Sequence, residues 1–186
     1  MIDTGNINTD TLLAPGVELA ANFQNVYVQG EHIWYQFERE LSALPDPDFS
    51  GWYVQAAWAL TGETRAWNPT TGTFSGLRPA KPLDLKGDGW CALELAARYS
   101  VSDLNYREDL LPPAGGTRGG GQTAVTLGLN WYVNNNVPSC WTTSGRGRSA
   151  QHRRRKCLRN RRFRAARGAQ IGQDLEIVSI RTQFTF

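Results

Sequence analysis

The sequence predicts an all-β, antiparallel fold of the transmembrane-barrel type, and three observations lead there. Apolar and polar residues alternate with period two through several long segments. Short turns and long Gly/Pro-rich connections both occur between those segments, as in barrels that turn tightly on one side of a membrane and loop on the other. The chain closes on Phe186, behind an alternating run of Phe184, Thr182, Ile180 and Val178.

The elements follow in order. Val17, Leu19, Ala21 and Phe23 alternate with Glu18, Ala20 and Asn22. After a tight Gln24-Asn25 turn, Val26 to Glu38 reads as a second strand whose parity blurs near Gly30. Trp52, Val54, Ala56, Trp58 and Leu60 alternate with Tyr53, Gln55, Ala57 and Ala59. A fourth strand sets Cys91, Leu93, Leu95, Ala97, Tyr99 and Val101 against Ala92, Glu94, Ala96, Arg98 and Ser100. A fifth sets Val125, Leu127, Leu129, Trp131 and Val133 against Ala124, Thr126, Gly128, Asn130 and Tyr132. In the last, Val178, Ile180, Thr182, Phe184 and Phe186 alternate with Ser179, Arg181, Gln183 and Thr185.

Alternation alone fits a soluble β-sandwich equally well. The connections and the mixed hidden face, which carries Glu94 and Arg98, favour the barrel. Asn134-Asn135-Asn136 is a short turn, whereas Asp103 to Gln122 is a long loop containing Pro112-Pro113 and Gly119-Gly120-Gly121. Hydrophobic content of 40% and a mean hydropathy of −0.45 resemble a soluble protein. Barrel strands escape that test, because each needs only roughly 9–11 residues and every second one faces lipid. Seven Trp, six Tyr and seven Phe suit interfacial belts, with Trp34 beside Tyr35, Trp52, Trp90 and Trp131 as the candidates. Met1 is followed by neither a basic start nor an apolar stretch, so a signal peptide is not expected in this chain.

Four ordered stretches resemble the phosphate-selective porins of the O and P family. They are Gly51-Trp52-Tyr53-Val54-Gln55 with Leu60-Thr61-Gly62-Glu63 and Arg65; Gly76-Leu77-Arg78-Pro79 with Lys81-Pro82; Ala92 through Ser100 into Asp103-Leu104-Asn105; and Thr126 through Asn134 to Asn136-Val137. The likeness covers roughly Val17 to Val137 and Gln170 to Phe186. It implies the carboxy-terminal part of a barrel of roughly sixteen strands, incomplete as given. It further implies an outer-membrane location and a passive channel for small hydrophilic solutes, including anions such as phosphate. No catalysis, cofactor or metal is implied.

The resemblance also assigns roles. Glu94, Arg98, Arg181 and Gln183 are expected to line the pore. Val178, Ile180, Phe184 and Phe186 are expected to form the signal read by the barrel assembly machinery. The final strand descends, which puts Asn134 to Asn136 and Thr61 to Gly89 on the periplasmic side and Asp103 to Gln122 outside. Some family connections fold into the lumen, and Arg65, Arg78, Lys81 and Lys86 are the candidates for such a constriction. The alternative is a solvated loop pairing locally with Glu63, Asp84 and Asp88. Expected partners are membrane lipid, small anions or other solutes, and two further copies, since trimers are the family habit. Because Arg98 shares its face with Glu94, a generic or mildly anion-selective pore is expected. Six strands, or seven with the segment discussed next, leave open edges that lipid does not tolerate. The chain as read is therefore expected to aggregate.

One segment does not fit. Pro138 to Arg164 holds ten of the 20 basic residues and none of the 17 acidic ones. Such a run in isolation points to nucleic acid or a solvated tail. A coding account fits better, and nucleic acid is not expected as a partner. With allowed codons for Val137 to Thr143, restoring one lost G turns the segment into Val-Arg-Val-Met-Leu-Asp-Tyr, a barrel strand of the kind the family carries here. Residues 138–167 are therefore read as frameshifted, the normal frame resuming near Ala166 to Gly168, and in the frame as given no strand is expected. The rival readings are a soluble β-sandwich that binds carbohydrate through Trp52, Trp58 and Trp90, and a nucleic-acid binder using Arg153 to Arg164.

Overall fold

The computed structural model describes residues 2–40, 43–82, 89, 91–110, 114–133, 140–150 and 174–182. Among them the strands are β1 (Thr9–Leu13), β2 (Gly16–Phe23), β3 (Val26–Arg39), β4 (Asp48–Ala59), β5 (Trp67–Asn68), β6 (Thr73–Phe74), β7 (Ala92–Tyr106), β8 (Thr117–Tyr132), β9 (Cys140–Ala150) and β10 (Asp174–Thr182). One antiparallel sheet runs β1-β3-β4-β7-β8-β9-β10, with β2 also paired to β3; β5 and β6 form a separate hairpin. Every long strand pairs with its sequence neighbour, and among the described residues the sheet does not close. This is a single layer and not the two facing layers of a sandwich.

The strands are long, 14, 12, 15 and 16 residues for β3, β4, β7 and β8. A tilted strand needs only roughly 9–11 residues to cross a membrane, and all four exceed that length. Register propagates without a slip from β2 to β4: Leu19 faces Gly30, which faces Val54. Glycine at position 30 therefore does not interrupt parity. It lets the Tyr53 carbonyl approach to 3.4 Å from where a Cβ would stand.

Parity divides the sheet. One face carries Val17, Leu19, Phe23, Val54, Trp58, Leu95, Leu127 and Leu129, all exposed, with Leu19 at 77% and Phe23 at 76%. The other carries Glu18, Gln29, Gln55, Ala96, Arg98 and Thr126. It is the inner face, where the connections pack. Outward aromatics cluster at two heights: Trp34, Trp52 and Tyr99 toward one end, Phe23, Trp58 and Trp131 toward the other. Trp52 and Tyr99 rings meet at 5.5 Å. Such girdles suit a membrane's two interfaces. Tyr35, whose neighbour Trp34 faces outward, lies on the inner face opposite Phe49.

The structure differs from the sequence reading at several points. β1 was not expected; it and β2 share one edge of β3, joined where the Pro15 carbonyl accepts the Trp34 N–H at 2.9 Å. The loop expected over Asp103 to Gln122 is shorter. β7 continues to Tyr106 and β8 starts at Thr117, so the glycines are strand residues, with Gly121 facing Asp103. They are needed there because a Cβ on Gly119 would stand 2.5 Å from the Leu104 carbonyl oxygen. Cys91 is not in an outward strand slot. It precedes β7 with φ +69 and is 3% exposed, its N–H bonded to the Lys81 carbonyl. A strand also occupies Cys140–Ala150, paired from Trp131↔Cys140 to Gly121↔Ala150. Backbone hydrogen bonds to β8 and β10 on either side make that strand whatever the side-chain pattern.

Candidate functional site

The Gln24-Asn25 turn defines one end of the sheet, with Gln24 in the left-handed region at φ +52. Asn22 Nδ2 closes it by donating to the Gln24 carbonyl at 3.1 Å, and Asn25 Nδ2 ties it to the Ala59 carbonyl of β4 at 3.0 Å. The long connection between β4 and β7 leaves from this same end.

That connection turns back along the inner wall. Leu77 is 6% exposed and packs with Ala59, Ala92 and Tyr132, all inner-face residues. The β5–β6 hairpin brings Phe74 against Tyr27 of β3, edge to face at 5.5 Å, while Trp67 packs on Phe74 at 4.9 Å. Burial of Leu77 and partial burial of Phe74 against Tyr27 make wall contact more favourable than solvation, while Trp67 stays exposed.

Arg65 fixes the arrangement. Its Nη2 pairs with Glu94 Oε1 of β7, its Nη1 donates to the Ser75 carbonyl at 3.2 Å, and its guanidinium lies 5.0 Å from the Tyr27 ring centre. Glu94 is 2% exposed, and its other oxygen accepts from Asn130 Nδ2 at 2.9 Å and Tyr132 Oη at 2.8 Å. A buried carboxylate is tolerable only when paired and hydrogen-bonded in this way. Of the expected constriction residues, Arg65 is thus turned onto the wall, whereas Arg78 and Lys81 are exposed. Glu63, offered as a local partner of these cations, instead accepts from Thr61 Oγ1 and the Ala80 N–H. Lys86, Asp84 and Asp88 lie outside the described residues.

Higher on the wall a polar row crosses four strands. Gln29 Nε2 donates to Glu18, Gln55 Nε2 donates to Gln29 Oε1, and Arg98 Nη1 reaches Gln55 Oε1 at 3.5 Å. Arg98 also lies over the Tyr53 ring at 3.7 Å. Glu94 and Arg98, read from the sequence as sharing a face, line one pocket of about 420 Å³ with Gln29, Gln55, Phe74 and Asn130. Gln29, Gln55, Asn130 and Tyr132 were not singled out beforehand. Their signal was available, because they hold the same parity as Glu94 and Arg98 in adjacent strands.

Arg181 stands in β10, in register with Trp141 of β9, which in turn pairs with the inner-face Asn130 of β8. Val178 and Ile180 lie in β10 with Val178 76% exposed, whereas Gln183, Phe184 and Phe186 lie outside the described residues. Trp90 and the turn at 134–136 also lie outside them. His32 packs on Trp34 at 4.0 Å, and among the described residues no group of His, Cys, Asp or Glu could hold a metal. Asp46 does turn work, accepting the Arg39 N–H at 2.9 Å.

The family model described as phosphate-selective porin O and P matches residues 1–186. The chain is 40% identical over 92 residues to an uncharacterized protein of Caulobacter vibrioides, covering 50% of this chain and 16% of that protein. It is 31% identical over 112 residues to Porin O of Pseudomonas aeruginosa, covering 59% of this chain and 24% of that protein. The alignments therefore span a quarter or less of either relative.

Proposed function

Because the chain belongs to the phosphate-selective porin O and P family, we propose that it forms part of the wall of an outer-membrane diffusion channel, its inner face lining the water-filled bore. The observation that carries this reading is the division of one antiparallel sheet into an apolar outer face and a hydrogen-bonded polar inner face. No chemistry is performed on the solute; the bore and its charges sort what passes. Val178 and Ile180, with Phe184 and Phe186, make up the segment read by the assembly machinery, and the mature channel is a trimer.

The turn end faces the periplasm in this reading, so the β4–β7 connection narrows the periplasmic mouth. It does so by its bulk and with the exposed Arg78 and Lys81, while the charge of Arg65 is spent on Glu94. Among the described strands Glu18, Glu31 and Glu94 stand on the inner-face parity against Arg98 and Arg181, with Arg65 paired to Glu94. Such a wall attracts phosphate weakly, and the channel is unselective or mildly anion-selective.

A chimaera tests this. Residues 16–133 replace the matching part of Porin O from Pseudomonas aeruginosa, and single-channel conductance is recorded in planar bilayers. Open channels with a weaker anion preference than the parent are expected. A chimaera that folds as a barrel and conducts nothing would remove the reading.

A further inference from the structure

We propose that the pocket between the two polar rows of the inner wall is a subsite for a neutral carbohydrate of mono- to disaccharide size. The proposal rests on the inner face lining a solute path. Its floor is made of small side chains, Ala57 and Ala96, in direct register across β4 and β7. Tyr27 and Phe74 supply an apolar wall, and Gln29, Gln55 and Asn130 supply planar amides. At about 420 Å³ the space falls within the usual range of small-molecule sites, roughly 300–1,000 Å³.

The charges favour a neutral guest. Arg65 is compensated by Glu94, which leaves Arg98 as the one lining guanidinium with no carboxylate at ion-pair distance among the described residues. A multiply charged anion needs more than that to replace its hydration. The Gln29–Gln55 row presents donors and acceptors without net charge. Vicinal hydroxyls of a sugar match that pattern, and the C–H face of its ring matches Phe74 and the alanines.

A second observation points the same way. Asn130 is 1% exposed and lines the pocket, yet its Oδ1 has no hydrogen-bond partner among the described residues. Its orientation is fixed, because only the NH₂ side can face the Glu94 carboxylate. A buried acceptor without a donor is uncommon. A ligand hydroxyl reaching the periplasmic end of the pocket would supply the donor.

The chimaera carrying residues 16–133, held in detergent micelles beside parent Porin O and probed with maltose by saturation-transfer NMR, tests the subsite. Maltose is expected to bind, and Ala96→Trp or Ala57→Trp, which fill the floor, each to weaken it by about tenfold or more. Excess inorganic phosphate is expected to displace nothing. Absence of maltose transfer from a chimaera with an intact β-sheet circular dichroism signal overturns the proposal. So does competition by phosphate, or undiminished binding by both tryptophan variants. Conducting chimaeras alongside such a result would leave the channel standing and remove the sugar site alone.

Discussion

Arg65 on the β4–β7 connection is ion-paired with Glu94 on β7, 29 residues further along the chain, and this contact holds the connection against the inner wall. The carboxylate is the more buried partner, at 2% side-chain exposure against 16% for the guanidinium. Two more donors, from Asn130 and Tyr132, converge on it from β8.

Removing one partner of such a pair strands the other. Glu94→Ala is expected to destabilise the folded chain by roughly 3–5 kcal/mol, the cost of leaving a buried charge uncompensated. Glu94→Gln keeps an acceptor for Tyr132 and is expected to cost less. Urea unfolding followed by circular dichroism reads the difference. Limited proteolysis reads the hairpin, where cleavage near Trp67 to Phe74 should accelerate in Glu94→Ala. Equal stability of that variant and the parent would mean that the pair anchors nothing.

The glycines at the start of β8 make a second test. A Cβ at Gly119 would stand 2.5 Å from the Leu104 carbonyl oxygen and 2.7 Å from its Cβ. Gly119→Val forces the backbones of β7 and β8 apart and is expected to cost on the order of 1–3 kcal/mol. Hydrogen exchange should quicken at Asn105, Tyr106 and Arg118 and remain slow at Leu95 and Leu129. Uniform protection across all five positions would place the glycines in a loop after all.

These two sites also mark what the sequence revealed. Long runs of strict alternation disclosed β2, β4, β7 and β8 and the face of each residue, because period two survives any register. Glu94 was conspicuous as a charge on the hidden face. Its partner was not, because Arg65 and Glu94 meet only through the path of a connection with no periodic pattern. β1 was missed because Thr-Asp-Thr-Leu-Leu does not alternate, and Pro15 follows it. It pairs because β3 extends past the end of β2. The glycine run misled for a physical reason: close backbone approach selects the same residue as a loop does.

Residues 138–167 carry a prediction of their own. If a base is lost there, the restored Val-Arg-Val-Met-Leu-Asp-Tyr has its apolar set at positions 139, 141 and 143. The observed register instead pairs outward Leu129 with position 142 and Leu127 with position 144. A one-residue slip exchanges the faces of a strand. The restored strand is therefore expected to slide by one residue against β8. Genomic sequencing checks the first step, and an unshifted frame would end the idea. Disulfide trapping between position 129 and either 141 or 142 in the restored chain checks the second.

The division of one sheet into a lipid face and a water face is most directly tested by spin labels on neighbouring residues of one strand, in lipid vesicles. Labels at Leu127 and Leu129 should collide freely with oxygen and hardly with a water-soluble nickel chelate. Labels at Thr126 and Gly128 should do the reverse. Equal shielding of all four from both reagents, as inside a compact water-soluble domain, would contradict the account.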